Sequence, residues 1–267
     1  MSALTLSGLC VYPLKSARGC DLTEAEVQMR GFSGDRRWQL VDPDGRFVSQ
    51  RSHPRLARLD AHLDGEVLRL GADGCGEIRV PPPDPDGPRT PVEIWQDTVD
   101  ALPAGAEPSA WLSRFLGEPV GLVFMDAAAR RPARLAPEVA VSFADGYPYL
   151  LTCESSLADL NTRIVGSGGE AVGMDRFRPN LVVRGGDAFA EDRWRRLRIG
   201  AVTFEVIKPC ARCVVTTTDQ ATGERGREPL RTLAAYRRRG EGVDFGLNLV
   251  ARGEGVLRLG DAVTILP

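Results

Sequence analysis

The chain has 267 residues, which is long enough to bury a substantial core without disulfides or structural metals and predicts one large domain or two modest ones. Its 34 Lys and Arg residues nearly balance its 36 Asp and Glu residues, so no global charge attracts it to nucleic acid or lipid. No apolar run reaches the roughly 18 residues that a membrane helix needs, and the N-terminus lacks the basic region of a signal peptide. Six cysteines in a chain of this length do not make a disulfide framework, which predicts a reducing, cytoplasmic location.

The first half of the sequence is typical of short strands separated by turns. Asp42-Pro43-Asp44-Gly45 is typical of a type I turn, and Asp64-Gly65 of a two-residue hairpin. The predicted strands are 4–11, 37–42, 46–51, 56–63 and 66–70. The proline-rich stretch 81–88 predicts a loop, and apolar residues at helical spacing predict one amphipathic helix over 108–116.

The second half begins with an aperiodic segment, 126–139, which predicts a linker or crossing loop. A strand over 148–152 follows, and then a helix that places Leu157, Leu160 and Ile164 on one face. The remaining predicted elements are strands at 180–183, 197–200, 202–207 and 214–218, a helix at 230–239, and strands at 256–259 and 262–266. Many short strands with three helices predict an α+β protein built on β-barrels or a rolled sheet.

The pair Cys210-Ala211-Arg212-Cys213 is the strongest local signal for chemistry, and several interpretations compete. A structural zinc site needs four ligands, whereas the other four cysteines form no second pair. A thioredoxin-type dithiol needs its second cysteine to enter a helix, whereas the β-branched run 214–218 predicts a strand. A single cysteine acting as a soft thiolate ligand or nucleophile beside an arginine is the third interpretation, and a cysteine that only packs is the fourth. On an extended segment the odd spacing turns the two thiols to opposite faces, so that one faces a pocket while the other packs.

Three further fragments combine groups that suit an anion. They are Tyr12-Pro13-Leu14-Lys15-Ser16, which holds one of only two lysines, Gly34-Asp35-Arg36-Arg37-Trp38, and Phe177-Arg178-Pro179-Asn180. The planar guanidinium suits phosphate and pterin-like acceptors, and lysine supplies a point charge. Each fragment alone is also explained by a surface salt bridge, whereas together they could line one anion site. The two histidines, His53 and His62, argue against a histidine-rich metal site and a Ser-His-Asp triad.

Seven motifs in a fixed order carry a resemblance to a known family. They are 12–16, 35–38, Gln50-Arg51 with Pro54 and Leu56, 156–161, 177–180, Ala190-Glu191-Asp192 with Trp194, and 210–219 through Gly223. With them the chain resembles, over essentially its whole length, the MOSC family, in which a MOSC domain follows an N-terminal β-barrel, and it is similar to the amidoxime-reducing members. The resemblance implies an N-terminal β-barrel domain over 1–125 and a MOSC β-barrel domain with a few helices over 126–267.

The same resemblance implies an enzyme that uses the molybdenum cofactor (Mo-molybdopterin) to reduce small N-hydroxylated compounds. In such proteins the cysteine that corresponds to Cys213 is the protein ligand of molybdenum and is therefore the catalytic residue. The residues that match cofactor-binding positions are Lys15, Ser16 and Arg36 in the first domain, Arg178 and Asn180 in the second, and Ala211 and Arg212 beside the metal.

The source of electrons is predicted to be a separate protein. The sequence has no dinucleotide fingerprint and no cysteine cluster for an iron–sulfur centre, and no ferredoxin-like tail follows Pro267. We therefore expect a flavin reductase with an iron–sulfur or haem carrier as the electron-transfer partner. The alternative function is a molybdenum-cofactor or sulfur carrier that uses Cys213, and a third hypothesis is a non-catalytic scaffold. No nucleic-acid partner and no membrane insertion are expected.

Overall fold

The computed structural model describes residues 3–267, in which twenty-one strands and three α-helices are formed. The strands before the midpoint are β1 (Thr5–Val11), β2 (Cys20–Leu22), β3 (Glu24–Gln28), β4 (Gly31–Phe32), β5 (Trp38–Val41), β6 (Asp60–Asp64), β7 (Val67–Ala72), β8 (Gly76–Val80), β9 (Thr90–Ile94), β10 (Asp97–Pro103) and β11 (Gly121–Phe124). The later strands are β12 (Pro132–Ala133), β13 (Ala136–Ala140), β14 (Tyr149–Cys153), β15 (Leu181–Arg184), β16 (Arg196–Ile199), β17 (Val202–Ala211), β18 (Arg238–Arg239), β19 (Gly242–Ala251), β20 (Gly255–Arg258) and β21 (Val263–Leu266). The α-helices are α1 (Ala106–Leu116), α2 (Glu154–Gly166) and α3 (Leu230–Tyr236), and short 3₁₀ helices cover Pro54–Arg58, Met174–Phe177, Ala190–Arg193 and Val214–Thr217.

The largest sheet combines the first strands of the chain with strands from its second half. Along this sheet the order is β2-β1-β15-β14-β19-β17-β16-β21, and β3 and β4 form a smaller sheet with β20. The core below these strands contains Leu6, Leu9 and Phe32 together with Leu151 and Phe204, all nearly inaccessible to solvent. Strands β1 to β4 therefore pack with the second half of the chain, and the domain boundary at 125/126 stays a prediction.

A second core lies under the remaining N-terminal strands. Two sheets, β5-β11-β10-β9 and β6-β7-β8, surround it together with α1. As the apolar spacing predicts, α1 buries Trp111, Leu112 and Phe115, and it ends at Gly117, whose φ of +83° suits a residue without a Cβ. The α+β class with curled, strand-rich sheets is confirmed.

Some predicted strands of the first half differ from the structure. Residues 46–51 form only isolated bridges, and the first part of 56–63 is the 3₁₀ helix Pro54–Arg58, which begins with proline. The hairpin after β6 is present, but Asp64 pairs with Val67, so Gly65 and Glu66 make the turn. The segment 126–139 is not only a linker, because it contains the strand pair β12–β13.

The most consequential difference follows the cysteine pair. The β-branched residues 214–218 predict a strand, but Val214–Thr217 is a 3₁₀ helix. The Thr216 hydroxyl donates to the Cys213 carbonyl at 2.9 Å, and the Thr217 hydroxyl donates to the Val214 carbonyl at 2.8 Å. These local bonds offer the threonines an alternative to the strand ladder.

In the part of the chain that the structure describes, no helix is long and apolar enough to span a bilayer.

Candidate active site

A cavity of about 960 Å³ is lined by residues from both halves of the chain. All eight residues that the sequence predicts as site residues line it: Lys15, Ser16, Arg36, Arg178, Asn180, Ala211, Arg212 and Cys213. They lie in connections or at strand ends, where a rigid sheet positions polar side chains. Their roles in binding stay predictions.

The cavity wall is strongly cationic. Within the described chain its charged lining residues are Lys15, Arg36, Arg51, Arg131, Arg134, Arg178, Lys208 and Arg212 on the positive side and Asp97 and Asp145 on the negative side. Both lysines of the protein are among them. Because a cleft lined by one sign of charge concentrates counter-ions, this cavity favours an anionic ligand.

Two guanidinium groups flank the buried ring of Tyr12. The Cζ atoms of Arg36 and Arg178 each lie 4.3 Å from the ring centroid. Arg36 donates to Asp35 at 2.6 Å and to the Asn180 side-chain oxygen at 3.2 Å, while the Asn180 amide nitrogen donates to Asp35 at 3.2 Å. Burial alone would lower the pKa of Arg36, but the Asp35 carboxylate outweighs it and raises that pKa. The cluster keeps Arg36 charged at the cavity wall.

Two buried arginine nitrogens find no hydrogen-bond partner anywhere in residues 3–267. They are Nη2 of Arg178 and Nε of Arg212. Arg178 is 9% exposed, burial lowers its pKa, and its Nη1 reaches the Gln220 side chain at a long 3.4 Å. A buried donor without an acceptor costs free energy, so an acceptor from outside the chain is expected here. Phosphate or pterin heteroatoms fit both nitrogens.

The Lys15 ammonium is held in the cavity wall, where its side chain is only 6% exposed. It donates to Asp145 Oδ1 at 2.5 Å and to the Phe143 carbonyl at 2.8 Å. Burial lowers the pKa of Lys15 to about 8, although Asp145 opposes the shift. Desolvation would raise the pKa of Asp145, but Lys15 and Arg51 outweigh it and hold that pKa well below its usual range. The Asp145 side chain is 57% exposed, so Asp145 stays ionised while solvent screens its ion pairs.

Both thiols of the Cys-x-x-Cys pair line the cavity, each with its own guanidinium. Arg51 Nη2 donates to Cys213 Sγ at 3.3 Å, and Arg212 Nη1 donates to Cys210 Sγ at 2.9 Å. The prediction that one thiol faces the pocket while the other packs was therefore wrong. Its premise failed because β17 is bulged near Cys210 and the chain turns into a 3₁₀ helix directly after Cys213. Each sulfur therefore accepts a hydrogen bond from a cationic side chain at the cavity wall.

Known proteins resemble this chain over nearly its whole length. The sequence matches the MOSC N-terminal beta barrel domain over residues 3–119 and the MOSC domain over residues 138–264. The human mitochondrial amidoxime-reducing component 1 is 33% identical, over 98% of this chain and 83% of its own length. The chain belongs to the MOSC-domain family. The human mitochondrial amidoxime reducing component 2 is 34% identical over 87% of this chain and 72% of its own, and component 1 of Xenopus laevis is 30% identical over 97% and 81%. The resemblance carried by the seven motifs is confirmed.

Backbone contacts hold Ser16 and Ala211 at the cavity of this MOSC protein. Ser16 adopts a φ of +70°, and its carbonyl accepts a hydrogen bond from Gln50 Nε2 at 2.8 Å. Gln50 and Gln220 exchange amide hydrogen bonds at 3.2 Å, which ties the two halves of the MOSC chain together beside the cavity. Ala211 pairs with Asp244 at the end of the β17–β19 ladder.

Among the lining residues of the MOSC site that sequence reasoning missed are Arg51, Trp95, Arg131 and Asp145. Arg51 stands in the Gln50-Arg51 motif, so a signal for it existed. Arg131 and Asp145 belong to stretches without periodicity. The buried Arg131 guanidinium donates to the carbonyls of Ser142, Ala144 and Asp145, which shapes the turn that presents the Asp145 carboxylate.

Proposed function

We propose that this protein is a molybdenum-cofactor-dependent reductase of N-hydroxylated compounds that receives electrons from a separate donor protein. Its relatives carry amidoxime reduction in their names and align over nearly the full chain. The MOSC domain is associated with the molybdenum cofactor. A location in the cytoplasm is part of the same proposal.

The observation that carries the proposal is the pair of buried arginine nitrogens beside an accessible thiol. The nitrogens of Arg178 and Arg212 require an acceptor that the described chain does not supply, and the Cys213 sulfur lies at the same cavity. Among residues 3–267 no group of three His, Cys, Asp or Glu side chains could hold a metal ion. A metal bound by Cys213 therefore needs further ligands from an organic group, as a pterin dithiolene provides.

The residues that would hold the cofactor follow from this fit. Cys213 would ligate the metal, and Arg178 and Arg212 would donate to the phosphate or pterin. The groups that would complete the binding from around the cavity are Lys15, Ser16, Arg36, Asn180 and Ala211.

When bound, the cofactor would supply a metal centre capable of the two-electron chemistry that reduction of an N–O bond requires. The overall reaction consumes two electrons and two protons, breaks the N–O bond, and yields the amine or amidine and water. The protein would bind the anionic group with its arginines, and Arg51 donates a hydrogen bond to the Cys213 sulfur. Lys15 Nζ, with its pKa lowered to about 8, can release and regain a proton near neutral pH, whereas Asp145 stays ionised.

The proposal is tested by metal and pterin analysis of the purified protein, followed by reduction of benzamidoxime with a chemically reduced carrier protein. We expect about one molybdenum and one pterin per chain, with loss of the N–O bond. A loaded protein that reduces no N-hydroxylated compound would support the alternative role of a cofactor or sulfur carrier through Cys213. A protein that never contains molybdenum would refute both.

A further inference from the structure

The turn between β9 and β10 holds a bulky residue in a backbone conformation that bulky residues avoid. Ile94 pairs with Asp97, so Trp95 and Gln96 form a two-residue hairpin loop. Trp95 has a φ of +58°, a value at which glycine or asparagine is usual in such loops. Its side chain is not buried in a core, because the residue is 46% exposed. Its ring packs against Phe47, with the ring centroids 5.1 Å apart, but a strained backbone that presents a half-exposed aromatic ring to the cavity points to a function for the side chain.

Trp95 contacts Arg51 and Asp145, which belong to two other segments of the cavity lining. The Arg51 guanidinium stacks over the face of the Trp95 indole ring, and its Cζ lies 4.2 Å from the ring centroid. Trp95 Nε1 donates to Asp145 Oδ1 at 3.4 Å. The Arg51 head group is therefore held by an aromatic face, by Asp145 Oδ2 at 3.1 Å and by Cys213 Sγ at 3.3 Å.

We infer that the Trp95 face and Asp145 Oδ2, beside Cys213, form a subsite for the planar amidine or guanidine group of the substrate, and that Arg51 fills this subsite when no substrate is bound. The inference rests on the proposed function. A protonated amidine and a guanidinium are both flat, delocalised cations with N–H donors in one plane. The contacts that Arg51 makes are therefore the contacts that an amidine would make. Simple alkyl hydroxylamines, and the amines that they yield, lack this flat delocalised group and would gain little from the subsite.

The ligand and Arg51 must compete for this subsite. Asp145 Oδ1 already accepts from Lys15 and Trp95, whereas Oδ2 accepts from Arg51 alone among residues 3–267. A second cation beside Lys15 and Arg51 would meet repulsion from both. The Arg51 side chain is 27% exposed, so its head group has a path into solvent.

The subsite also favours the direction of the reaction. An amidoxime is neutral near pH 7, whereas the amidine that forms when the N–O bond breaks takes up a proton and becomes a cation. Contacts to the Trp95 face and to ionised Asp145 therefore strengthen as the reaction proceeds, which is the condition for lowering its barrier.

The test measures binding of benzamidinium, and of its neutral isostere benzamide, to the purified holoprotein by calorimetry at pH 7, with molybdenum content determined for each sample. Arg51→Met keeps the length of the side chain and removes the competing cation. We expect this variant to bind benzamidinium about tenfold more tightly, the scale of one desolvated cation–π contact, with benzamide unchanged. In Arg51→Met, the added Trp95→Ala should abolish the gain and Trp95→Phe should keep part of it. Val256→Ala, which trims an exposed apolar residue remote from the cavity lining, is the matched control.

Weaker or unchanged benzamidinium binding by Arg51→Met would overturn the inference, as would a gain that survives Trp95→Ala. Failure of the proposed function has a different signature. If the wild-type holoprotein reduces no N-hydroxylated compound but the binding results hold, the subsite exists and the reaction assigned to it is wrong. If reduction occurs but Arg51 and Trp95 do not affect benzamidinium binding, the reaction stands and the subsite does not.

Discussion

The two thiols of the cavity differ in their partners rather than in their exposure. Cys213 accepts from Arg51, which reaches in from the N-terminal half, whereas Cys210 accepts from its near neighbour Arg212. We expect Cys213→Ser to lose molybdenum and amidoxime reduction, because a hard, protonated hydroxyl replaces a soft thiolate. Cys210→Ser keeps an acceptor for Arg212 and should retain both. Molybdenum by mass spectrometry and reduction of benzamidoxime by a pre-reduced carrier measure the difference.

The opposite pattern, with activity kept in Cys213→Ser and lost in Cys210→Ser, would assign the ligand to Cys210. Equal loss of molybdenum in both variants would mean that the two sulfurs act as a unit, since both line the cavity.

Lys15 gives the protein a pH-dependent stability whose sign can be worked out. Burial lowers its pKa in the folded state to about 8, whereas the unfolded value is near 10.5. Between these values the unfolded chain binds more protons, so the contribution of Lys15 makes the folded state more stable as pH rises from about 8 to 10.5. The full change is on the order of 3 kcal/mol, at about 1.4 kcal/mol for each pKa unit.

The measurement is denaturant unfolding of the cofactor-free protein at several values between pH 7.5 and 10.5. Because tyrosines also titrate in this range, the informative quantity is the difference between wild type and Lys15→Met. That difference should change steadily with pH, whereas Lys208→Met, which removes the exposed lysine of the same cavity, should follow the wild type. Parallel curves for wild type and Lys15→Met would contradict the assignment.

Much of the site could be predicted at the residue scale, because chemically unusual residues in ordered motifs mark it. Lys15, Arg36, Arg178 and Cys213 come from separate motifs and reach one cavity. Trp95 could not be found this way, since its significance lies in a φ of +58° and in a contact with Arg51, forty-four positions away. No local pattern encodes either property.

At the scale of elements, β19 is a strand that the sequence patterns did not predict. It pairs with both β14 and β17 in the largest sheet, yet Gly246 interrupts its apolar pattern. Gly246 has a φ of +81°, and a Cβ there would lie 2.6 Å from the Leu151 carbonyl oxygen. The strand therefore needs a residue that strand propensity disfavours. The 3₁₀ helix Val214–Thr217 shows the converse, because its β-branched residues favour a strand and local hydroxyl bonds override that preference.

Gly246→Ala tests this account of β19. We expect a loss of about 3 kcal/mol or more, since the methyl group adds a backbone clash to the roughly 1–2 kcal/mol cost of positive φ. Gly240→Ala is the control, because Gly240 also has positive φ, at +58°, but a Cβ at this residue would meet nothing within 4 Å. Denaturant unfolding should show the smaller, conformational cost alone for Gly240→Ala. Equal losses in the two variants would show that the contact with Leu151 is unimportant.

At the scale of the whole molecule, the first strands of the chain fold into the core of its second half, although a separate core lies under the other N-terminal strands. Leu6, Leu9, Val11, Val27 and Phe32 are buried in the core formed mainly by residues after position 148. The same N-terminal segment delivers Lys15 and Arg36 to a cavity whose thiol comes from the other end of the chain. Folding and assembly of the candidate site therefore depend on the same interlocked segments.

A fragment of residues 126–267 should for this reason fail to fold alone, although it contains the whole region matched to the MOSC domain. Burying each large apolar side chain contributes roughly 1.5–3 kcal/mol, so losing five of them removes about 10 kcal/mol. That is comparable with the total stability of about 5–15 kcal/mol of a typical domain. We expect thermal melting followed by circular dichroism to show no cooperative transition for this fragment. Joining residues 1–36 to this fragment through a flexible linker should restore a cooperative transition, because β1 to β4 then regain their partners β15 and β20. A sharp transition in the fragment without residues 1–36 would show that the C-terminal half is an independent folding unit.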